Sequence, residues 1–504
     1  MKTLFSGLMK SKTSRPLLWL AIIFVFIQVI FHLLGMRFSD ALPYGASQFL
    51  DTELLRHRLL ESVFYMHSQP PLFNLFLGLA LKLSSGYPRL AFHAIYAICG
   101  LILYCSLFTL QVRLGVGKWL AFVLSTMFIV SPTNLMHQND FNYPLILALL
   151  LLISALLLDR FLVEKNVRTA VAFFFCLFLL SGIRSLYHLS YFVLILVVLL
   201  ALNWADRRKL LLAAALPGLL IVALHVKNLI LFNVFATSSW LGMNAWAVVA
   251  DYVPPSEREQ LVREGTLSEL ALITRFSPVN CYPEKYRKTT DYRHIPVLTQ
   301  TEKSSGAANY NHLAYVGISK QYFKDYLTLS RQRPRALLKG LTRSCLHYLS
   351  PCGIMFPMEA EYNRMRDYTN AFQVVFYARI PADMSRTGIR PFGVVPQYRV
   401  HLFLFLGLPI LFIGGLALSL RKSSARFPID RRQRIVILFL CLNIAYVAFV
   451  GNAFESGEQA RFRFQTDPFY VVLLGLLIQS LLIPRLTRVL HRMRPDSPTQ
   501  VPSL

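Results

Sequence analysis

The sequence predicts an all-α polytopic membrane protein, and three observations carry that prediction. Apolar residues make up 55% of the 504-residue chain and charged residues only 15%, fewer charges than a soluble protein of this length carries. Mean hydropathy is +0.47. The apolar residues fall in long runs rather than in the 3.6- or 2-residue periods of half-buried helices and strands, as expected of segments surrounded by lipid. The net charge of +26 raises nucleic acid as a partner. The basic residues, however, cluster in short segments between the apolar runs, where membrane topology accounts for them, so no nucleic-acid partner is expected.

Ten spans are expected, over 17–36, 89–112, 117–132, 143–160, 167–182, 187–204, 209–226, 401–420, 434–451 and 468–485. Several lie near the lower limit of about 17 residues for a bilayer core. The first is not expected to be a cleaved signal peptide, because it is long and no small-residue cleavage site follows it. With the N-terminus inside, the inside segments 1–16, 113–118, 159–168, 205–209, 421–434 and 485–504 hold 22 Lys and Arg against 5 acids. The short outside segments 37–72, 131–143, 182–190 and 452–467 hold 6 Lys and Arg against 8 acids. That bias places both termini in the cytoplasm and the first loop outside.

Two outer regions are large. In the first loop (37–88), "PPLFNLFLGLALKL" (Pro70–Leu83) is apolar but too short to span, and as a span it would invert every later loop. It is expected to be an interfacial or re-entrant helix. Before it, Asp51–Tyr65 carries Leu54, Leu55, Leu59 and Val63 at helical spacing, which predicts an amphipathic helix along the membrane. Residues 227–400 are polar, Tyr-rich and punctuated by Pro, with amphipathic helices expected over 309–329 and 333–349 and irregular structure elsewhere. So long a connection suggests a lid or acceptor platform, the alternative being a small structural cap. The expected organisation is a transmembrane module over 1–250, the outer region over 251–400, transmembrane helices over 401–485 and a basic, Pro-containing tail over 486–504, without internal repeats.

Cys99, Cys105, Cys176 and Cys441 lie in expected spans as small apolar residues, whereas Cys281, Cys345 and Cys352 lie outside, where a disulfide is permitted and its pairing stays open. No spacing resembles a zinc site, and neither a cofactor nor a divalent metal is indicated. The outer loops collect polar residues at membrane depth: Asp40 and Tyr44; His67 before Pro70 and Pro71; His137, Asn139 and Asp140; Arg184 and His188; Lys227; and Glu455, Glu458, Arg461 and Arg463. Ionisable groups at that depth are costly and mark functional sites. Acids and cations around one cleft suit a reaction on a phosphate-bearing lipid: a carboxylate can take a proton from a hydroxyl, and Arg or Lys can hold the leaving phosphate. Each residue also has a structural reading. Asp40 and Asp140 then serve as helix caps, His67 and His137 as hydrogen-bonding groups, Arg184 as the partner of an acid, Arg461 and Arg463 as headgroup anchors, and Pro70-Pro71 as a helix start.

Four stretches resemble the GT-C superfamily of polytopic glycosyltransferases, in particular the bacterial polyprenyl-phosphate mannosyltransferase and aminoarabinose transferase group. "FSDALPYGASQFL" is similar to that group's loop-one acid followed by Tyr at the fourth position. "HSQPPLFNLFLGLALKL" is similar to its His-x-Pro-Pro-Leu helix. "SPTNLMHQNDFNYPLILALLLL" resembles its Ser-Pro, acid and long span, and "GEQARFRFQTDPFYVVLLGLL" its Gly-Glu, Arg and Asp-Pro before the last span. The resemblance covers 17–250 and 400–485. It implies a GT-C-like bundle and transfer of a sugar from a polyprenyl-phosphate donor to a lipid, glycan or protein acceptor, with inversion at the anomeric carbon. By the same resemblance Asp40 is the general base and Asp140 the second acid. Arg184, Lys227, Arg461 and Arg463 are then candidates for the donor phosphate, with Tyr44, His67, Pro70, Pro71, His137 and Glu458 lining the cleft. Where many relatives carry Asp-Glu in loop one, this chain has Ser39-Asp40-Ala41, which leaves subfamily and acceptor open.

The expected location is a bacterial inner membrane with the site facing the periplasm or exterior, the alternative being an ER membrane with a lumenal site. A transporter or flippase of lipid-linked sugars and a non-catalytic membrane scaffold are the other classes. The former calls for inverted repeats and broken midplane helices, which the sequence does not display, and the latter has no use for acids gathered on one side.

Overall fold

Within a bilayer every backbone N–H and C=O must be paired internally, so long apolar runs fold as helices. The computed structural model describes residues 14–84, 86–287, 292, 294–351, 363–379, 401–421 and 429–482. Among these the regular structure is helical, and β contact is confined to three isolated bridges. Among the described residues six helices are long and apolar enough to cross a membrane: Arg15–Leu33, Pro88–Arg113, Pro144–Glu164, Trp204–Phe232, Leu402–Leu420 and Arg431–Phe454. The protein is therefore a multi-pass helical membrane protein, but ten full-length spans are not seen among the described residues. The expected span 117–132 is a 12-residue helix, Lys118–Ile129, that bends by 62° into Pro132–Gln138. The break falls at Ser131-Pro132, where Pro lacks the donor a helix needs and disfavours helical geometry in the residue before it. Helices Val167–Ile183 and Leu189–Leu202 run 17 and 14 residues, bounded by extended backbone at Arg184 and His188 and by the turn at Asn203, and Asp467–Leu477 runs 11 residues before it passes into the π-helix Ile478–Leu482.

Pro144–Glu164 forms the centre of the bundle. It is 67% buried along its apolar window, against 17% for Leu402–Leu420, which therefore faces outward. Val167–Ile183, Pro88–Arg113 and Arg431–Phe454 pack around it. At one end Asp159, fully buried, is held by Arg113 and by Arg432 at 3.1 Å, so three of these helices share one buried ion cluster. The helix expected over 209–226 continues to Phe232 with Pro217 inside it.

The first loop differs from expectation in one respect. Asp51–Tyr65 is not one helix but two, Thr52–His57 and Leu59–Phe64, broken at Arg58, whose φ of −129° is non-helical. The break lets Leu55 and Leu59 both rest on Gly78 of the helix Leu72–Leu83, the expected interfacial helix. Phe141 joins this loop to the bundle: its ring meets Phe49, Phe73, Phe76, Phe92 and Tyr96.

The outer region has its own core, built from Trp240, Met243, Trp246, Leu270, Tyr315 and Tyr322 among others. The two expected amphipathic helices are Ala314–Gln332 and Pro334–Tyr348. Both pack on Leu241–Ala250 through close backbone approaches. A Cβ on Gly242 would lie 1.8 Å from the Ser319 carbonyl oxygen, and one on Gly340 would lie 1.7 Å from that of Val248. Gly242→Ala is therefore expected to destabilise the protein by about 1–3 kcal/mol, the usual cost of overpacking, seen as a lowered midpoint in thermal unfolding. An unchanged midpoint would mean that this crossing is loose. Cys281 and Cys345 are free thiols and do not pair with each other. Cys352 and the tail 486–504 lie outside the described residues.

Candidate functional site

The two acids singled out in the sequence are brought together by the backbone. Ser39 N–H donates to Asn139 C=O at 2.7 Å and Phe141 N–H donates to Ser39 C=O at 3.0 Å, a parallel bridge pairing Ser39 with Asp140. Arg89 steadies the residue before Ser39 by donating to Phe38 C=O at 2.8 Å. Asp140 is fully buried, and Asp40, next to Ser39 in the chain, is partly exposed. Asp140 is not a helix cap, since Tyr143 stands at the start of Pro144–Glu164. Asp40 acts on the Tyr44 phenol, whose proton is held tighter first by burial and then by that carboxylate.

Beside Asp140 lies a pair of guanidiniums. Arg184 and Arg461 both donate to the Tyr143 hydroxyl, Arg461 at 3.1 Å. Both also stand over the rings of Tyr143 and Phe462. Both reach the Glu458 carboxylate, Arg461 in a close hydrogen bond and Arg184 at 3.9 Å. A second acid, Glu455, is buried nearby and paired with Arg275 at 3.7 Å. Burial raises its carboxyl above the ordinary value, as does the neighbouring Glu458, against the pull of Arg275 and Arg184. Two arginines sharing one oxygen and one carboxylate present the fork geometry that binds phosphate.

The remaining candidates are placed elsewhere. Arg463 is buried and turned inward, donating to the carbonyls of Tyr348 and Ser350 and to Asp467 at 3.0 Å, so it is not a headgroup anchor. Lys227 donates to the carbonyls of Phe64 and Met66 at 2.9 and 2.8 Å, which fastens the first loop. His67 is buried with Nδ1 2.9 Å from Ser239 Oγ, and burial, then Lys227, pushes its pKa down to about 3. His137 is buried and stacks on Phe464 at 4.0 Å. Pro71 caps the helix Leu72–Leu83, as a helix start, while Pro70 lines a small recess with Gln48, Gln69, Asn74 and Tyr143. The outer region is tied to loop one by Lys303 donating to Ala46 C=O at 2.7 Å, Ser304 to Asp51 at 2.6 Å and Ser305 to Tyr44 C=O at 2.6 Å. Burial lowers the Lys303 pKa to about 8, against Asp51.

Burial raises the Asp140 carboxyl from 3.8 to about 7, against the opposing pull of Arg461 and Asn142. Neither of its oxygens completes a well-aligned hydrogen bond among the described residues. Between about pH 4 and 7 the folded state thus holds a proton that the unfolded chain has lost, so stability falls as pH rises through that window and levels off above it. Asp140→Asn is expected to flatten the fall and to raise the unfolding midpoint at pH 8 relative to wild type. The same slope in both proteins would show that Asp140 does not titrate there.

Tyr143 was not among the sequence candidates, though it joins both arginines to the recess. Its signal was its place at the boundary of a span, where Tyr and Trp are common as interface anchors. Lys303 and Asp51 carried no signal, since they meet only through the fold. Among the described residues no group of three or more His, Cys, Asp or Glu is placed to hold a metal ion. The fold defines the class, a multi-pass helical membrane protein. No protein-family model, curated protein or solved structure matches the chain.

Proposed function

We propose that this protein is an inverting membrane glycosyltransferase of GT-C type, moving a sugar from a polyprenyl-phosphate donor to an acceptor hydroxyl. One observation carries the reading: Arg184 and Arg461 converge on Tyr143, and Arg461 also acts on Asp140, whose backbone pairs with loop one beside the accessible Asp40. The donor phosphate sits between the two guanidiniums. Asp40 takes the proton of the acceptor hydroxyl, and that oxygen attacks the anomeric carbon from the side opposite the phosphate. The bond from the anomeric carbon to the phosphate oxygen breaks, and its electron pair leaves with polyprenyl phosphate. The two arginines stabilise the charge that grows on the leaving group. Asp140, too buried to meet an acceptor, supports the loop-one strand and the field around Arg461. The excess of Lys and Arg on the opposite loops supports placing the site on the outer face, at a bacterial inner membrane.

The phosphate site is tested by binding of polyprenyl phosphate to purified protein in detergent. Arg184→Gln and Arg461→Gln are each expected to weaken binding by about 10- to 100-fold, the value of one charged hydrogen bond. Lys227→Gln, whose lysine is committed to two carbonyls, should stay within about twofold of wild type. Equal losses in all three variants would remove the phosphate from the two arginines.

A further inference from the structure

The carboxylate between the two arginines has an unusual setting. Glu458 stands at the start of the short helix Gln459–Phe464, at the rim of the site. Its side chain is 42% exposed, against 12% for Arg461 and 8% for Arg184. The arginines do not depend on it for their position: each also donates to the Tyr143 hydroxyl and lies over the Tyr143 and Phe462 rings. The Glu458 side chain, by contrast, is held among the described residues by these two arginines. Both arginines meet the same carboxylate oxygen, Oε2, the place one oxygen of a phosphate would take between two guanidiniums.

We infer that Glu458 is an internal competitor for the anion site, a carboxylate that occupies the two-arginine clamp and swings to solvent when a phosphate group takes its place. The inference rests on the donor-phosphate reading above and adds a selectivity to it. A free phosphate ion must displace Glu458 with charge alone. A phosphate carried on a lipid has the burial of its chain to offset the displacement. Glu458 therefore discriminates against soluble anions in favour of lipid-borne ones.

The test measures binding of inorganic phosphate and of polyprenyl phosphate to the purified full chain, wild type and Glu458→Gln. The variant is expected to bind polyprenyl phosphate about tenfold tighter and to bind inorganic phosphate measurably where wild type does not. The gain should vanish in the double variant Glu458→Gln, Arg461→Gln. Glu458→Asp, whose shorter arm keeps the charge but reaches less far, should fall between wild type and Glu458→Gln, and it serves if the neutral variant folds poorly. If wild type binds polyprenyl phosphate and the Glu458 variants bind it equally or more weakly, Glu458 is a fixed brace and the inference fails while the donor site stands. If neither wild type nor variants bind it, the donor-phosphate reading falls and the inference falls with it.

Discussion

Asp40→Asn is expected to lower sugar transfer by about 10²- to 10⁴-fold, the range associated with a positioned general base, while polyprenyl phosphate binding stays within about twofold. Asn keeps the size and hydrogen-bonding reach of the side chain but cannot accept the acceptor's proton. The fold should be undisturbed, because the strand that carries Asp40 is held by backbone bonds of Ser39 to Asn139 and Phe141. Of the two acids at this pairing, only Asp40 can be reached from outside. Wild-type turnover in Asp40→Asn, with equal donor binding, would show that another group takes the proton.

Arg463→Met is expected to cost about 3–5 kcal/mol of stability, the usual result of removing one partner from a buried, hydrogen-bonded ion pair. The change would leave Asp467 unpaired and the carbonyls of Tyr348 and Ser350 without their donor. These contacts pin the end of the outer helix Pro334–Tyr348 to the bundle, so unfolding should begin there. Thermal unfolding in detergent checks the cost, and limited proteolysis after Tyr348 checks the place. Arg461→Gln should do the reverse, with loss of donor binding and a nearly unchanged midpoint. A similar fall in stability for both variants would mean that Arg461, too, is structural.

That contrast shows what the sequence could and could not reveal. "ARFRF" presents two arginines of equal standing. On a helix, residues two apart point about 200° from one another, so one meets Tyr143 and Glu458 and the other turns into the bundle. Which is which depends on the partners at Tyr143 and Tyr348, both remote in sequence. The long run Pro144–Glu164 was legible because lipid burial needs only composition. The bend at Ser131-Pro132 had a local signal, yet the apolar run on either side concealed it. The break at Arg58 had none, because it is set by Leu55 and Leu59 both seeking Gly78. Outside its two amphipathic helices the region 227–400 reads as irregular because its core draws single aromatics, such as Trp240 and Tyr282, from separate short segments. The pairing of Ser39 with Asp140 is likewise invisible in the sequence, although both loops are expected on the same face.

The two arginines and Asp40 are proposed to serve one group transfer. Its most direct test gives purified protein a polyprenyl-phosphate-linked sugar and a mixture of envelope acceptors in proteoliposomes, then follows both the sugar and its anomeric configuration. Release of polyprenyl phosphate together with a product whose anomeric centre is inverted is the expected result. Lipid-linked sugar that crosses the bilayer intact, with no product and no released polyprenyl phosphate, would contradict it.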